Sequence, residues 1–301
     1  LKSCYIELTK LCNLSCKHCY SNCSSDSQQE LPLEVVVRLL KSLKEYDFDS
    51  VGFTGGEPLL HSAFTKIIDL TNELDIPVML FTNLILINDN IVRHFKNNIM
   101  ICTSLEGANE ETNDYIRGKG SYKKFVKAIN ILKKFYINNV EVNLTVQAKN
   151  YLEIKDFIYM VKSWGYLPNL TFITYRGRAV EYWNELRLSM IETVKAKKFI
   201  VKYLGSNESN PYDTCPQFGH EELWVKSNGD VSLCCLLDNY IIGNIIHSSF
   251  DEITKNSFIQ KNNLSKHNFK NCDECMNYYN KKVTDYQFNS GTSFIKNGRL
   301  V

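Results

Sequence analysis

Two periods of apolar spacing alternate along most of the chain. Ser3 to Leu8 alternates apolar and polar in the manner of a strand, and the positions Val35, Val36, Leu39, Leu40 and Leu43, after Leu31-Pro32, recur at helical spacing. The pattern then repeats. Val51-Gly52-Phe53 predicts a strand, Ala63 to Leu74 a helix, Pro77 to Thr82 a strand ending at Asn83, and Asn88 to Phe95 a helix. Ile99 to Thr103, Val140 to Val146 and Leu170 to Thr174 predict strands, with helices over Tyr122 to Phe135 and Leu152 to Trp164. That makes six strand-then-helix steps, the sixth helix being displaced. Such alternation calls for an α/β fold with a parallel sheet and right-handed crossovers. Six units close only an incomplete barrel, open on one side to a large substrate; a flat doubly wound sheet has the same periodicity.

After Tyr175 the alternation stops. Ser189 to Tyr203 predicts a lysine-rich helix, Gly205 to Pro211 a connector, and Leu223-Trp224-Val225 with Val231-Ser232-Leu233 a hairpin about Ser227-Asn228-Gly229-Asp230. Phe250 to Ile259 reads as helix and Asn262 to Asn271 as a polar loop.

Composition narrows the function classes. The 35 basic and 33 acidic residues of this 301-residue chain leave a net charge of +2, which calls for neither nucleic acid nor a membrane as partner. No apolar run is long enough to span a bilayer and there is no signal peptide, so a cytoplasmic protein is expected. The chain starts at Leu1 and not at a methionine, which leaves room for an upstream segment. Eleven cysteines is a high and odd number, gathered in two groups toward the ends of the chain, and metal clusters account for them better than disulfides do.

The first group is Cys12, Cys16 and Cys19, placed directly after the first strand. Three thiolates this close can each take a different iron of a cubane cluster and leave the fourth iron without a protein ligand. An open metal position marks a reactive site; a structural zinc knot is the competing reading. One strand later comes Gly55-Gly56-Glu57-Pro58. Every polar motif of the alternating region follows a strand, so one rim carries the chemistry.

The C-x3-C-x2-C loop and the Gly-Gly-Glu-Pro turn, in this order, resemble the radical SAM enzymes over about the first 180 residues. The resemblance implies a partial (β/α)6 TIM-type barrel in which Cys12, Cys16 and Cys19 hold a [4Fe-4S] cluster, S-adenosylmethionine takes the open iron, and an electron cleaves it to a 5'-deoxyadenosyl radical. Two glycines would let the backbone of Gly55 and Gly56 approach that ligand, and Glu57 would accept from its ammonium. Asn83 and Ser104, at the ends of the third and fourth strands, and Arg117, facing the methionine carboxylate, complete the implied cofactor site. Asn143 lies on the fifth strand on a face that the register decides. His18 is expected as packing near the cluster, and Cys4, Cys23 and Cys102 as core or surface thiols.

The second group resembles the auxiliary-cluster region of the SPASM and twitch subfamily, in which Gly177-Arg178-Ala179 also recurs. No cysteine follows Cys275, so the resemblance implies a twitch form with one auxiliary cluster, bound by Cys215, Cys234, Cys272 and Cys275; a zinc ribbon would use the same four ligands. Three segments are implied: a radical SAM core over 1–180, a linker helix over 181–214 and a small auxiliary iron-sulfur domain over 215–301. Cys235 is surplus. In an extended segment it would face away from Cys234, and it is expected either as a small buried residue or as a thiol that gives a hydrogen atom to a substrate radical. The implied function is modification of a ribosomally made peptide, by epimerisation or by thioether or carbon-carbon crosslinking, with an external one-electron reductant. No peptide-recognition domain is read ahead of Leu1, which keeps a dehydrogenase of a sugar or cyclitol as the alternative. A non-catalytic iron or zinc module is the third reading.

Overall fold

The computed structural model describes residues 2–205, 221–235 and 241–265, and the residue pairs 295–296 and 299–300. Its elements follow in chain order: β1 (Lys2–Thr9), α1 (Leu33–Glu45), β2 (Ser50–Gly55), α2 (Phe64–Glu73), β3 (Val78–Phe81), α3 (Asp89–Val92), β4 (Ile99–Ser104), α4 (Glu110–Arg117), α5 (Ser121–Lys134), β5 (Val140–Val146), α6 (Ile154–Ser163) and β6 (Leu167–Phe172). Then come α7 (Trp183–Leu186), α8 (Met190–Leu204), β7 (Glu221–Val225), β8 (Asp230–Ser232), β9 (Ile241–Asn244) and α9 (Phe250–Ser265). Ile295–Lys296 and Arg299–Leu300 form a short antiparallel pair.

Nine of the described strands form one sheet in the order β6-β5-β4-β3-β2-β1-β7-β8-β9. The first six are parallel, in chain order across the sheet, as six strand-then-helix units require. The hairpin does not stand apart from them. Strand β7 adds to the free edge of β1 in parallel, with Tyr5 opposite Trp224, and β8 and β9 continue antiparallel.

Register sorts the strand residues into two faces. Cys4, Val51, Val78 and Ile99 stand side by side across β1 to β4 and are all buried, in one core with Val35, Val36, Leu39 and Leu40 of α1. The opposite face carries Tyr5, Gly52, Met79 and Met100 in one row, and Ser104, Asn143 and Asn169 in another near the carboxyl ends. This face is polar and aromatic and only partly covered. Tyr5 stacks on Trp224 with ring centroids 4.3 Å apart, so the added strand extends the inner wall.

Several segments differ from the sequence expectation: β6 runs Leu167–Phe172 where Leu170 to Thr174 was expected, α3 covers only Asp89–Val92 of the expected Asn88 to Phe95, and α7 and β9 had no expected counterpart. Glu110–Arg117, which shows no apolar periodicity, forms helix α4, because the face it buries is partly polar: Asn113 and Arg117 are buried beside Ile116. Asn109 caps it, accepting from the Thr112 N–H at 3.0 Å, and Glu110 and Glu111 occupy its first turn. The polar stretch from Asn262 to Ser265 is the end of α9 and not loop, since an established helix extends past its last apolar anchor at little cost. The displaced sixth helix is α8, held by a capping box of Ser189 and Glu192 and packed on α6 through Tyr159 and Tyr203.

Candidate active site

Between β1 and α1 the chain has almost no regular structure, yet its backbone is fastened on several sides. The Cys12 N–H donates to the Ser24 carbonyl at 2.9 Å and the Lys17 N–H to the Ile116 carbonyl at the end of α4, also at 2.9 Å. The loop therefore presents Cys12, Cys16 and Cys19 from a fixed frame. Cys12 is 9 % exposed, and burial pushes its thiol up to about 12; burial also raises Cys16. Cys19 is shifted the other way, because the Cys23 thiol and nearby backbone N–H groups donate to its sulfur. No three His, Cys, Asp or Glu side chains among the described residues close on a single point as a mononuclear metal would need; a cubane spreads its thiolates over three irons.

The turn after β2 sits directly on this loop. Gly56 N–H donates to the Thr9 carbonyl at 2.7 Å and Glu57 N–H to the Leu11 carbonyl at 2.9 Å. A Cβ on Gly56 would lie 2.3 Å from the Leu11 carbonyl oxygen, so the close approach that requires glycine is to the backbone of the cysteine loop. Glu57 is wholly buried. One carboxylate oxygen accepts from Leu59 N–H (3.2 Å) and Thr82 Oγ1 (2.7 Å), the other from Asn83 N–H (2.8 Å). A carboxylate offers about four acceptor positions, so one stays open. Burial raises the Glu57 carboxyl to about 7, against the pull of Thr82 and the two backbone donors.

The rim residues meet around the same loop. Asn83 donates from Nδ2 to Asn13 Oδ1 inside the loop at 2.8 Å. Arg117, reaching in from α4, donates to Ser104 Oγ and to Glu106 Oε1, the latter at 3.2 Å. Glu106 is wholly buried after β4 and faces His18 Nε2 at 3.3 Å, while its other oxygen accepts from Thr145 N–H at 3.0 Å. His18 thus faces a buried carboxylate as well as packing near the loop, and Glu106 is a residue that the sequence reading passed over. Asn143 turns to the inner face, in register with Ser104, and donates to Thr171 Oγ1 at 3.1 Å.

Of the second cysteine group, Cys215, Cys272 and Cys275 lie outside the described residues. Cys234 and Cys235 follow β8, and their thiols hydrogen-bond each other where opposite facing was expected. The strand ends at Ser232 and the chain turns, so the two-residue alternation no longer applies. That bond and burial raise the Cys235 thiol. Its carbonyl accepts from Arg176 Nη1 at 2.5 Å, and its sulfur is near enough to Tyr20 and Tyr5 to act electrostatically on both hydroxyls. The structure therefore brings Cys235 toward the residue that follows Cys19.

The model of the Radical SAM superfamily matches residues 6–158, just over half of the chain, and that of the SPASM iron-sulfur cluster-binding domain matches residues 215–277. The chain belongs to the radical SAM superfamily. Mycofactocin maturase MftC of Mycobacterium ulcerans is 24 % identical over 292 residues, covering 90 % of this chain and 79 % of MftC. The antilisterial bacteriocin subtilosin biosynthesis protein AlbA of Bacillus subtilis is 27 % identical over 273 residues, 85 % of this chain and 60 % of AlbA. Streptococcus suis SuiB bound to its precursor peptide SuiA has the same fold, with a TM-score of 0.66, 17 % identity and coverage of 82 % of this chain and 63 % of SuiB.

Membership of this superfamily brings a [4Fe-4S] cluster and S-adenosylmethionine, and the SPASM region further iron-sulfur binding. The residues fit such a ligand set. Among the described residues His18 Nδ1, Arg117 Nε and Asn143 Oδ1 are buried without a partner, and Glu57 retains an open acceptor position. An ammonium suits Glu57 and a carboxylate suits Arg117. Ser104 was legible as a strand-end residue, whereas Glu106 was one carboxylate among many until α4 delivered its guanidinium partner. Gly56→Ala sets a methyl group against backbone that cannot yield, so it should weaken S-adenosylmethionine binding about tenfold or more, about 1.4 kcal/mol, in equilibrium dialysis of the reconstituted protein. Wild-type affinity would contradict this seating.

Proposed function

We propose that the chain is a peptide maturase of the radical SAM superfamily that inverts a stereocentre of a ribosomally made peptide, with Cys235 as hydrogen-atom donor. Cys12, Cys16 and Cys19 hold the [4Fe-4S] cluster, and Glu57, Asn83, Ser104 and Arg117, with Gly55 and Gly56 shaping the turn, hold S-adenosylmethionine. When bound, these groups supply the 5'-deoxyadenosyl radical that removes hydrogen from an unactivated carbon. The chain's own residues bind, orient and shield. Glu57 accepts the ammonium, Arg117 faces the carboxylate, and Glu106 with His18 keeps the Arg117 side chain in place.

The observation that supports the reading is the electrostatic reach of the Cys235 sulfur to Tyr20, the residue after Cys19, and to Tyr5 of the inner face. Its S–H bond breaks as the new C–H bond forms at the substrate carbon. The sulfur keeps one electron, and a one-electron reductant with a proton restores the thiol. Cys215, Cys234, Cys272 and Cys275 hold one auxiliary cluster, which is suited to relay that electron. A peptide substrate is supported by AlbA, named for bacteriocin biosynthesis, and by SuiB, solved with a precursor peptide. The inner face is lined by Tyr5, Phe81 and Trp224 together with Glu141 and Asn169, a mixture suited to side chains and backbone alike. No helix among the described residues is long and apolar enough to cross a membrane.

With precursor peptide in D2O, the wild-type chain should leave one non-exchangeable deuterium in an epimerised product, read by mass spectrometry and chiral amino-acid analysis. Cys235→Ala should still release 5'-deoxyadenosine and yield no epimer. Loss of two mass units would instead mark a crosslinking enzyme, and unchanged product from Cys235→Ala would remove the thiol from the mechanism. A second expectation concerns pH. The Glu57 carboxyl sits near 7 before any ligand is bound, so below that pH a ligand ammonium must displace a proton. S-adenosylmethionine affinity should fall by up to about tenfold per unit as pH drops below about 7, and Glu57→Gln should flatten the profile at weaker affinity. A flat wild-type profile between pH 6 and 8 would contradict the assignment.

A further inference from the structure

The segment that follows β6 grips the cysteine loop at carbonyls that the Gly-Gly-Glu turn does not touch. Arg178 donates from Nη1 to the Cys16 carbonyl at 3.0 Å and from Nη2 to the Cys23 carbonyl at 2.6 Å. Its own N–H donates to the Cys19 carbonyl at 2.8 Å. One residue thus engages the loop at three places. The contact is closely fitted, since Gly177 adopts φ +58° and a Cβ there would lie 2.4 Å from the Cys19 carbonyl oxygen and 2.5 Å from that of Tyr20. A few residues on, Lys17 inside the loop pairs with Glu185 of α7 at 3.2 Å and lies 3.5 Å from the centre of the Tyr115 ring.

We propose that Arg178 is a positioning residue of the cluster loop, bracing the carbonyls of Cys16 and Cys23 with its planar fork and biasing the bound cluster toward its reduced state with its charge. The inference rests on Cys12, Cys16 and Cys19 being the cluster ligands. Both parts follow from the chemistry. A loop without regular structure keeps three thiols aligned only if its backbone is held from outside, and a guanidinium fork can span two carbonyls where a single ammonium cannot. Reduction adds a negative charge to a cluster already carrying thiolates, and a nearby fixed cation favours that state. The guanidinium lies against the main chain of Cys16 itself, and among the described residues it pairs with no carboxylate, since its side-chain hydrogen bonds go to the carbonyls of Cys16 and Cys23.

The test uses the full chain, reconstituted anaerobically with iron and sulfide. The signal followed is the electron paramagnetic resonance of the reduced cluster that S-adenosylmethionine perturbs, and the two readouts are its midpoint potential and the rate of iron loss to a chelator. Arg178→Gln should lower the potential and speed iron loss several-fold. Arg178→Lys, which keeps the charge and loses the fork, should restore the potential and leave iron loss fast. Wild-type values of both readouts in Arg178→Gln overturn the proposal, as does a potential in Arg178→Lys that stays as low as in Arg178→Gln. Should Arg178→Gln fail to fold by circular dichroism, Arg178→Lys decides: fast iron loss at wild-type potential supports the proposal, and wild-type iron loss overturns it. A perturbed signal that survives Cys16→Ala overturns the ligand assignment together with the inference. A Cys16-dependent signal indifferent to both Arg178 variants overturns the inference alone.

Discussion

The site depends on how an irregular loop is kept rigid. Residues 10–24 contain no helix and only isolated bridges, so their alignment comes from groups outside the loop that bond to its main chain. Gly56 and Glu57 hold Thr9 and Leu11 on one side, Ile116 at the end of α4 holds Lys17 on another, and Arg178 holds Cys16, Cys19 and Cys23 on a third. Each of these clamps sits past the end of a different strand. The parallel sheet brings them together because its carboxyl ends share one rim.

The second constraint is charge in a buried place. Glu57, Glu106 and Arg117 are all nearly or wholly buried, where an unpaired ion would cost several kcal/mol. They are tolerated because nearly every polar position is answered: Thr82 and two backbone donors for Glu57, Arg117, His18 and Thr145 for Glu106. The remaining position on Glu57, Arg117 Nε and Asn143 Oδ1 are what a charged, hydrogen-bonding ligand would complete. Sheet extension through β7 lengthens the inner wall, since Trp224 comes to the inner face beside Tyr5 only because β7 pairs with β1.

Much of this could be read from the chain because period and punctuation coincide. The strand of Val140–Val146 alternates without a break and was placed to the residue, and α1 buries the five positions its spacing marked. The Cys12 to Cys19 loop and the Gly-Gly-Glu turn were visible because each occupies consecutive residues after a strand. What escaped was distributed or atypical. Helix α4 hid because Asn113 and Arg117, not apolar residues, fill its buried face, and only the Asn109 cap and the acidic first turn gave a signal. Glu106 became legible once three separate elements converged on it. The facing of Cys234 and Cys235 was misjudged because alternation was carried past the end of a three-residue strand. Arg178 was noticed as part of a recurrent tripeptide, but its partners lie about 155 to 162 residues earlier and no local pattern announces them.

The central claim is that Cys12, Cys16 and Cys19 hold a cluster with one iron left for S-adenosylmethionine, which Glu57 and Arg117 help to fix. Mössbauer spectroscopy of the chain reconstituted with 57Fe tests it most directly. The account predicts that adding S-adenosylmethionine shifts one iron site of a cubane cluster, and that the shift disappears in Cys16→Ala. Spectra that S-adenosylmethionine leaves unchanged, or zinc in place of iron at these three cysteines, would contradict it.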